Sequence, residues 1–144
     1  VFAAKFNPTR NLEVLQEKPV ADAEQNVADF LLDYLKLEGV SRIFGVPGGG
    51  LMQVLEALYQ RREEFDYVIC RHETGAGYMA DGYFRVSGDL AVVMVTTGPG
   101  ATNALTGAMN AEAACSSMLV LTGEIEEKFN GMGYLQEGVD SPLE

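Results

Sequence analysis

The run Leu90–Thr97, LAVVMVTT, is apolar at every strand position before its two threonines. A strand with one wet face alternates apolar and polar residues. A strand with no wet face is covered on both sides, and in a parallel sheet helices supply that cover. This segment alone restricts the chain to layered α/β architectures. The neighbouring segments agree with it. RIFGV (Arg42–Val46), DYVIC (Asp66–Cys70) and MLVLTG (Met118–Gly123) read as three further strands. Helical spacing marks a first helix through Val27, Phe30, Leu31, Tyr34 and Leu35, and a second through Val54, Leu55 and Leu58. Asp22 with Gln25 suits a capping box for the first helix, and Gly39 suits its stop. A third helix starts near Thr74 and closes at the Gly88-Asp89 turn. A fourth follows Gly98-Pro99-Gly100.

The resulting order, α-β-α-β-α-β-α-β with short connections, predicts an α/β domain with a mostly parallel sheet flanked by helices and right-handed crossovers. Residues 1–21, with Pro8, Pro19 and mixed charges, read as an N-terminal arm, and 22–144 as one domain. There is no internal repeat and no low-complexity tract.

Composition excludes some function classes. The chain of 144 residues carries a net charge of −11. A nucleic-acid or anionic-membrane surface needs a basic patch, so neither partner is expected. Cys70 and Cys115 are too few for a disulfide framework. Both stand in apolar sequence surroundings and are expected as buried free thiols, which suits a reducing, cytoplasmic setting. No apolar run reaches membrane-spanning length, and the first residues lack the apolar centre of a secretion signal.

Three unusual runs fall at the carboxyl ends of the predicted strands: Pro47–Gly50, Arg71–Gly77 and Gly98–Asn103. In open α/β sheets ligands bind beyond those ends. Glu73 is explained as a helix-start acid favoured by the macrodipole. The small residues that follow it suit a second reading, a carboxylate that shares a proton with a ligand nitrogen. Gly75, Gly77 and Gly82, with Ala76 and Ala80, would admit a flat ligand or a second backbone close to the helix. His72, the one histidine, is expected as a hydrogen-bonded strand-end residue. Tyr78, Met79, Tyr83 and Phe84 are expected in the core or at a subunit interface. Gly98 and Gly100 begin a G-x-G-x-x-G run, but Asn103 stands at the third glycine and Pro99 removes an N–H. With Glu124 as ribose acid this keeps open a Rossmann-like nucleotide module. Gly45–Gly50 lacks the Gly-Lys-Ser/Thr ending of a phosphate loop, no Gly-x-Ser-x-Gly elbow occurs, and no metal-ligand spacing repeats.

Taken jointly, IFGVPGGG, RHETGAGYMADGYFRVSG, VTTGPGATNAL and LTGEI…YLQEG resemble the pyrimidine-binding domain of thiamine-diphosphate enzymes in order and spacing. The nearest group is the acetolactate synthase family with its 2-oxoacid decarboxylase and carboligase relatives. The resemblance covers residues 22–140 and implies the following roles. Glu73 matches the glutamate that hydrogen-bonds N1′ of the cofactor's aminopyrimidine and begins the proton relay toward C2 of the thiazolium. Val46, Pro47 and Gly48 match a cofactor-side loop, and Gly49 lies beside them at the substrate pocket. Thr97, Pro99, Gly100 and Asn103 match the turn and helix start beside the pyrimidine. Gln136 matches a glutamine near the substrate. Synthases of this group usually carry Tyr at Val46 and Gln at Thr74. Some decarboxylases of the family place a catalytic His near Thr97, and this chain has none there.

The resemblance also implies partners. Magnesium ligands belong to a diphosphate-binding domain whose motifs are absent here, and FAD, where used, sits in a central domain. The chain is thus expected to be a C-terminally incomplete pyrimidine domain, a fragment or split subunit. It would work with the diphosphate domain of another chain in a homodimer or tetramer, act on a 2-oxoacid, and use the helix from Thr74 as a dimer contact. A non-catalytic assembly subunit of the same fold is the third reading.

Overall fold

Four parallel strands take the order β2-β1-β3-β4. In the computed structural model, residues 26–129 and 132–133 are described. The strands are β1 (Arg42–Gly45), β2 (Asp66–Ile69), β3 (Ala91–Val95) and β4 (Met118–Thr122). The helices are α1 (Val27–Leu37), α2 (Met52–Gln60), α3 (Glu73–Ser87) and α4 (Pro99–Ala113). Short 3₁₀ turns occupy Gly49–Leu51 and Glu127–Phe129. The alternation expected from sequence is therefore present. Because β1 leads to β2 on one side while β3 lies on the other, the sheet reverses direction between β1 and β3. That is the position at which such sheets open a crevice.

All five residues of β3 are buried. Their side chains divide by the strand period of two. Val92 and Met94 face one core with Leu32 and Leu35 of α1, Leu58 of α2 and Ile43 of β1. Val93 and Val95 face a second core with Phe44, Ala76, Ala80 and Ala104. The two-sided apolar character of LAVVMVTT thus reflects two helical layers, α1 with α2 and α3 with α4.

Local chemistry sets the boundaries. Asn26 caps α1 by accepting the Asp29 backbone N–H at 2.8 Å, and Gly39 stops the chain at φ +81°. The expected capping residues Asp22 and Gln25 and the arm 1–21 lie outside the described residues. In β1, a Cβ on Gly45 would fall 2.0 Å from the Met94 carbonyl oxygen, so glycine lets β1 and β3 approach there. Cys70 is buried as expected. Cys115 is a correction: it is exposed, because it follows the end of α4 in a surface turn with φ +55°.

Helices α3 and α4 run side by side through matched rungs. Thr74 Oγ1 donates to the Asn103 carbonyl at 2.6 Å. Lower down, a Cβ on Gly77 would lie 2.7 Å from Gly107 Cα, and one on Gly107 2.6 Å from Gly77 Cα. Lower still, buried Asp81 accepts from Asn110 Nδ2 at 2.8 Å, from Arg85 Nε and Nη2 at 2.9 and 2.6 Å, and from the Ser116 hydroxyl. The Arg85 fork holds the Asp81 carboxyl below its ordinary range against the opposing effect of burial. Of the two approaches that Gly77 would admit, a flat ligand or a second backbone, the structure shows the second: the backbone of the chain's own α4.

On the other layer, Arg61 Nη1 donates to Asp33 Oδ1 at 3.1 Å and Nη2 to Glu64 Oε2 at 3.1 Å, tying α1 to the turn before β2. Hydrogen bonds from Arg61 first, then from Lys36, hold the Glu64 carboxyl down at about 2.

Two predictions follow from this packing. In an unhindered helix interior, Gly→Ala stabilises by roughly 0.5–1 kcal/mol. At the crossing the sign reverses, and Gly77→Ala or Gly107→Ala costs about 1–3 kcal/mol because backbone must move. The urea midpoint measures it, and a midpoint at or above the parent's would show that the helices do not depend on the contact. For Glu64, a depressed carboxyl stabilises the fold above its unfolded value of 4.5 and loses that contribution as pH falls toward about 2. Glu64→Gln therefore lowers stability at neutral pH and flattens the pH–stability curve in that window. Salt also weakens the effect, because the pair is solvated.

Candidate active site

Backbone geometry at three strand ends builds the site. After β2, His72 is extended (φ −158°, ψ 145°) and its Nδ1 accepts the Thr74 backbone N–H at 3.2 Å. The lone histidine is a helix cap, as its hydrogen-bonded strand-end reading expects. Capping there starts α3 at Glu73 and presents its carboxylate, half-buried, at the helix N-terminus. After β3, Gly98 takes φ +59° and Pro99 opens α4 at its first position, where a missing N–H costs nothing. Asn103 then projects from the first turns of α4. Its Nδ2 donates to Glu73 Oε2 at 3.1 Å. Among the described residues Glu73 Oε1 takes no hydrogen bond. It faces Gly100, where a Cβ would lie 3.7 Å away.

The loop after β1 comes to the same place from the opposite layer. A Cβ on Gly48 would lie 2.4 Å from Thr96 Cβ, and one on Gly100 2.9 Å from Thr96 Cγ2. Thr96 therefore stands between both glycine runs. The loop continues across the end of β3, and a Cβ on Gly123, just past β4, would meet the Gly50 carbonyl oxygen at 2.5 Å. Thr96 is buried, and its Oγ1 has no hydrogen-bond partner among the described residues. A buried hydroxyl without a partner carries a desolvation cost.

The structure thus brings together Gly48, Gly100, Glu73 and Asn103. Thr97 is buried nearby, with its Oγ1 donating to Glu124 Oε1 at 3.4 Å. Val46 is half-buried, while Pro47, Gly49 and Pro99 are exposed, Gly49 with open space around it. Gln136 lies outside the described residues. Sequence reasoning gave Thr96, Thr74 and Gly123 no role in the site. The period of two pointed to Thr96, which shares the parity of Val92 and Met94 and so faces the layer the β1 loop crosses. Thr74 lay inside the marked run Arg71–Gly77, and Gly123 gave no comparable signal. Among the described residues no three His, Cys, Asp or Glu side chains are grouped to hold a metal ion, and no helix is long and apolar enough to cross a membrane.

Comparison with known proteins bears on what this geometry serves. Residues 25–142 match the family described as thiamine pyrophosphate enzyme, N-terminal TPP binding domain. The chain is 37% identical over 141 residues to the mitochondrial acetolactate synthase catalytic subunit of Aspergillus candidus, covering 91% of this chain and 20% of that protein. It is 39% identical over 112 residues to the acetolactate synthase isozyme 2 large subunit of Escherichia coli K12, covering 78% and 20%. A probable acetolactate synthase large subunit of Methanocaldococcus jannaschii is 40% identical over 110 residues, covering 76% and 18%. The chain thus spans about one fifth of the length of these relatives. The nucleotide-module reading of Gly98–Asn103 and Glu124 is not favoured, since the G-x-G run follows β3 rather than the first strand, and the whole described fold falls inside the matched family. The chain belongs to the N-terminal TPP-binding domain family of the thiamine pyrophosphate enzymes.

Proposed function

We propose that this chain is the pyrimidine-binding portion of a 2-oxoacid decarboxylase or carboligase resembling acetolactate synthase, with Glu73 as the catalytic carboxylate toward N1′ of the aminopyrimidine. The observation that carries the reading is the Glu73 carboxylate beside the start of α4, anchored through Oε2 by Asn103 and without a hydrogen bond at Oε1 among the described residues. The remaining residues fit a flat, polar ring. Gly100 brings no side chain against Oε1, and the buried Thr96 hydroxyl has no partner among the described residues. Bound thiamine diphosphate supplies the carbon nucleophile and electron sink for 2-oxoacid chemistry.

The chain's own residues do the rest. Glu73 holds a proton at the ring nitrogen and so acts as a general acid–base. Val46, Pro47 and Gly48 line the approach from the β1 loop, with Gly49 toward the substrate. Thr97, Pro99 and Gly100 form the floor at the start of α4. Gln136 is assigned to the substrate pocket by resemblance alone.

Completion of the site rests on other parts. Magnesium, for the diphosphate, takes its ligands from a diphosphate-binding domain in another chain or polypeptide segment, and FAD, where present, binds elsewhere. The exposed apolar side chains of α3 and α4, including Tyr78, Met79, Val86, Leu105 and Met109, support assembly through these helices into a dimer or tetramer. Tyr83 and Phe84 pack instead on the sheet. A cytoplasmic setting belongs to the same reading and is supported by free Cys70 and Cys115.

In the complete assembly, Glu73→Gln slows hydrogen–deuterium exchange at C2 of thiamine diphosphate about 100-fold or more, with a modest loss of cofactor affinity. Unchanged exchange removes Glu73 from the mechanism. Titration with NAD and FAD beside magnesium thiamine diphosphate tests the cofactor itself, and binding of NAD alone defeats the reading. Native mass spectrometry is expected to show more than one copy of this chain, and Met109→Glu to reduce that assembly.

A further inference from the structure

The geometry points to Asn103 as a positioning residue that decides which oxygen of Glu73 carries the shared proton, an inference that rests on the proposed role of Glu73. A carboxyl group has two oxygens and, at a ring nitrogen, only the one facing the ligand is useful. Asn103 Nδ2 donates to Oε2 at 3.1 Å. An amide NH₂ only donates, so Oε2 must offer a lone pair there. The proton is thereby favoured on Oε1, the oxygen that receives no other bond among the described residues and lies on the Gly100 side, 3.7 Å from where a Gly100 Cβ would stand.

The amide is not free to turn over. With its oxygen toward Oε2 it would set two acceptors against each other whenever Glu73 is ionised. It would be stable only with the proton parked on Oε2, away from Gly100. The position of Asn103 is fixed in turn by the reciprocal bond from α3, in which Thr74 Oγ1 donates to the Asn103 carbonyl at 2.6 Å. Two adjacent residues of α3 therefore hold one residue of α4 from both ends. The adjacent glycine crossing, Gly77 on Gly107, keeps the two backbones at the separation this clamp needs. Asn103 touches the reacting group through Glu73, which separates its role from that of a residue lining the ligand.

The test is a comparison of binding, not of turnover. In the complete assembly with magnesium, titration calorimetry gives the affinities for thiamine diphosphate and for its N1′-deaza analogue, in which CH replaces the ring nitrogen. The parent is expected to prefer thiamine diphosphate by about tenfold or more, the scale of one charge-assisted hydrogen bond. Asn103→Leu, which keeps the volume and removes the donor, is expected to cut that preference by about tenfold while leaving the affinity for the deaza analogue nearly unchanged. Asn103→Ala, a better helix former, should do the same if the larger side chain prevents folding. A preference kept in full by a folded Asn103 variant overturns the inference and leaves the role of Glu73 standing, as does an equal loss of affinity for both ligands. A parent with no preference overturns the Glu73 reading itself, and this inference with it.

Discussion

The backbone contact between Gly77 and Gly107 is the constraint on which the site depends. Side chains of ordinary size would hold α3 and α4 at the usual interaxial distance of about 8–10 Å. With no Cβ at either position the helices come closer, and the pairs above and below fall into register. Glu73 and Thr74 then reach Asn103, and Asp81 reaches Asn110. These rungs are separated by about one helical turn each, as two helices running in the same direction require. The lower rung adds a buried carboxylate satisfied by three side chains, which resists sliding of one helix past the other.

The sheet supplies the second half of the geometry. Reversal of strand order between β1 and β3 directs the β1 loop and the start of α4 to the same rim. Thr96 is the point where they meet. Its backbone ends β3, its methyl group fills the gap beneath Gly100, and its hydroxyl faces the Gly48 side. Bulk at Gly48 or Gly100 would be met by Thr96 rather than by solvent. The glycines of these runs therefore serve close approach within the chain as much as access for a ligand. Gly49, where an added Cβ would meet nothing within 4 Å among the described residues, differs from Gly48 and Gly100 in this.

Much of the fold was legible because apolar periodicity and strand length are local properties. LAVVMVTT required two covered faces, and four strands alternating with helices left few topologies. Glu73, Gly48, Gly100 and Asn103 were legible as well, since each sits in a run whose composition contradicts ordinary helix or loop preference. At Gly77 the sequence left a flat ligand and a second backbone both open, because it shows that a glycine permits an approach but not what approaches; the structure decides for the backbone of α4. Cys115 was misplaced for a related reason. Its neighbours are small and apolar, yet the end of α4 turns it outward.

The sequence by itself determined the parallel α/β layering, the three glycine-marked strand ends and the acid placed at one of them, since these follow from periodicity, turn chemistry and helix capping within short segments. Tertiary structure alone decided that Asn103 holds Oε2 of Glu73, that Thr96 is buried without a partner among the described residues, and that Gly77 is spent on Gly107. Those relations join residues about thirty positions apart or segments from different strands. Their distances are set by how closely two helices and a sheet pack, and no local pattern records that.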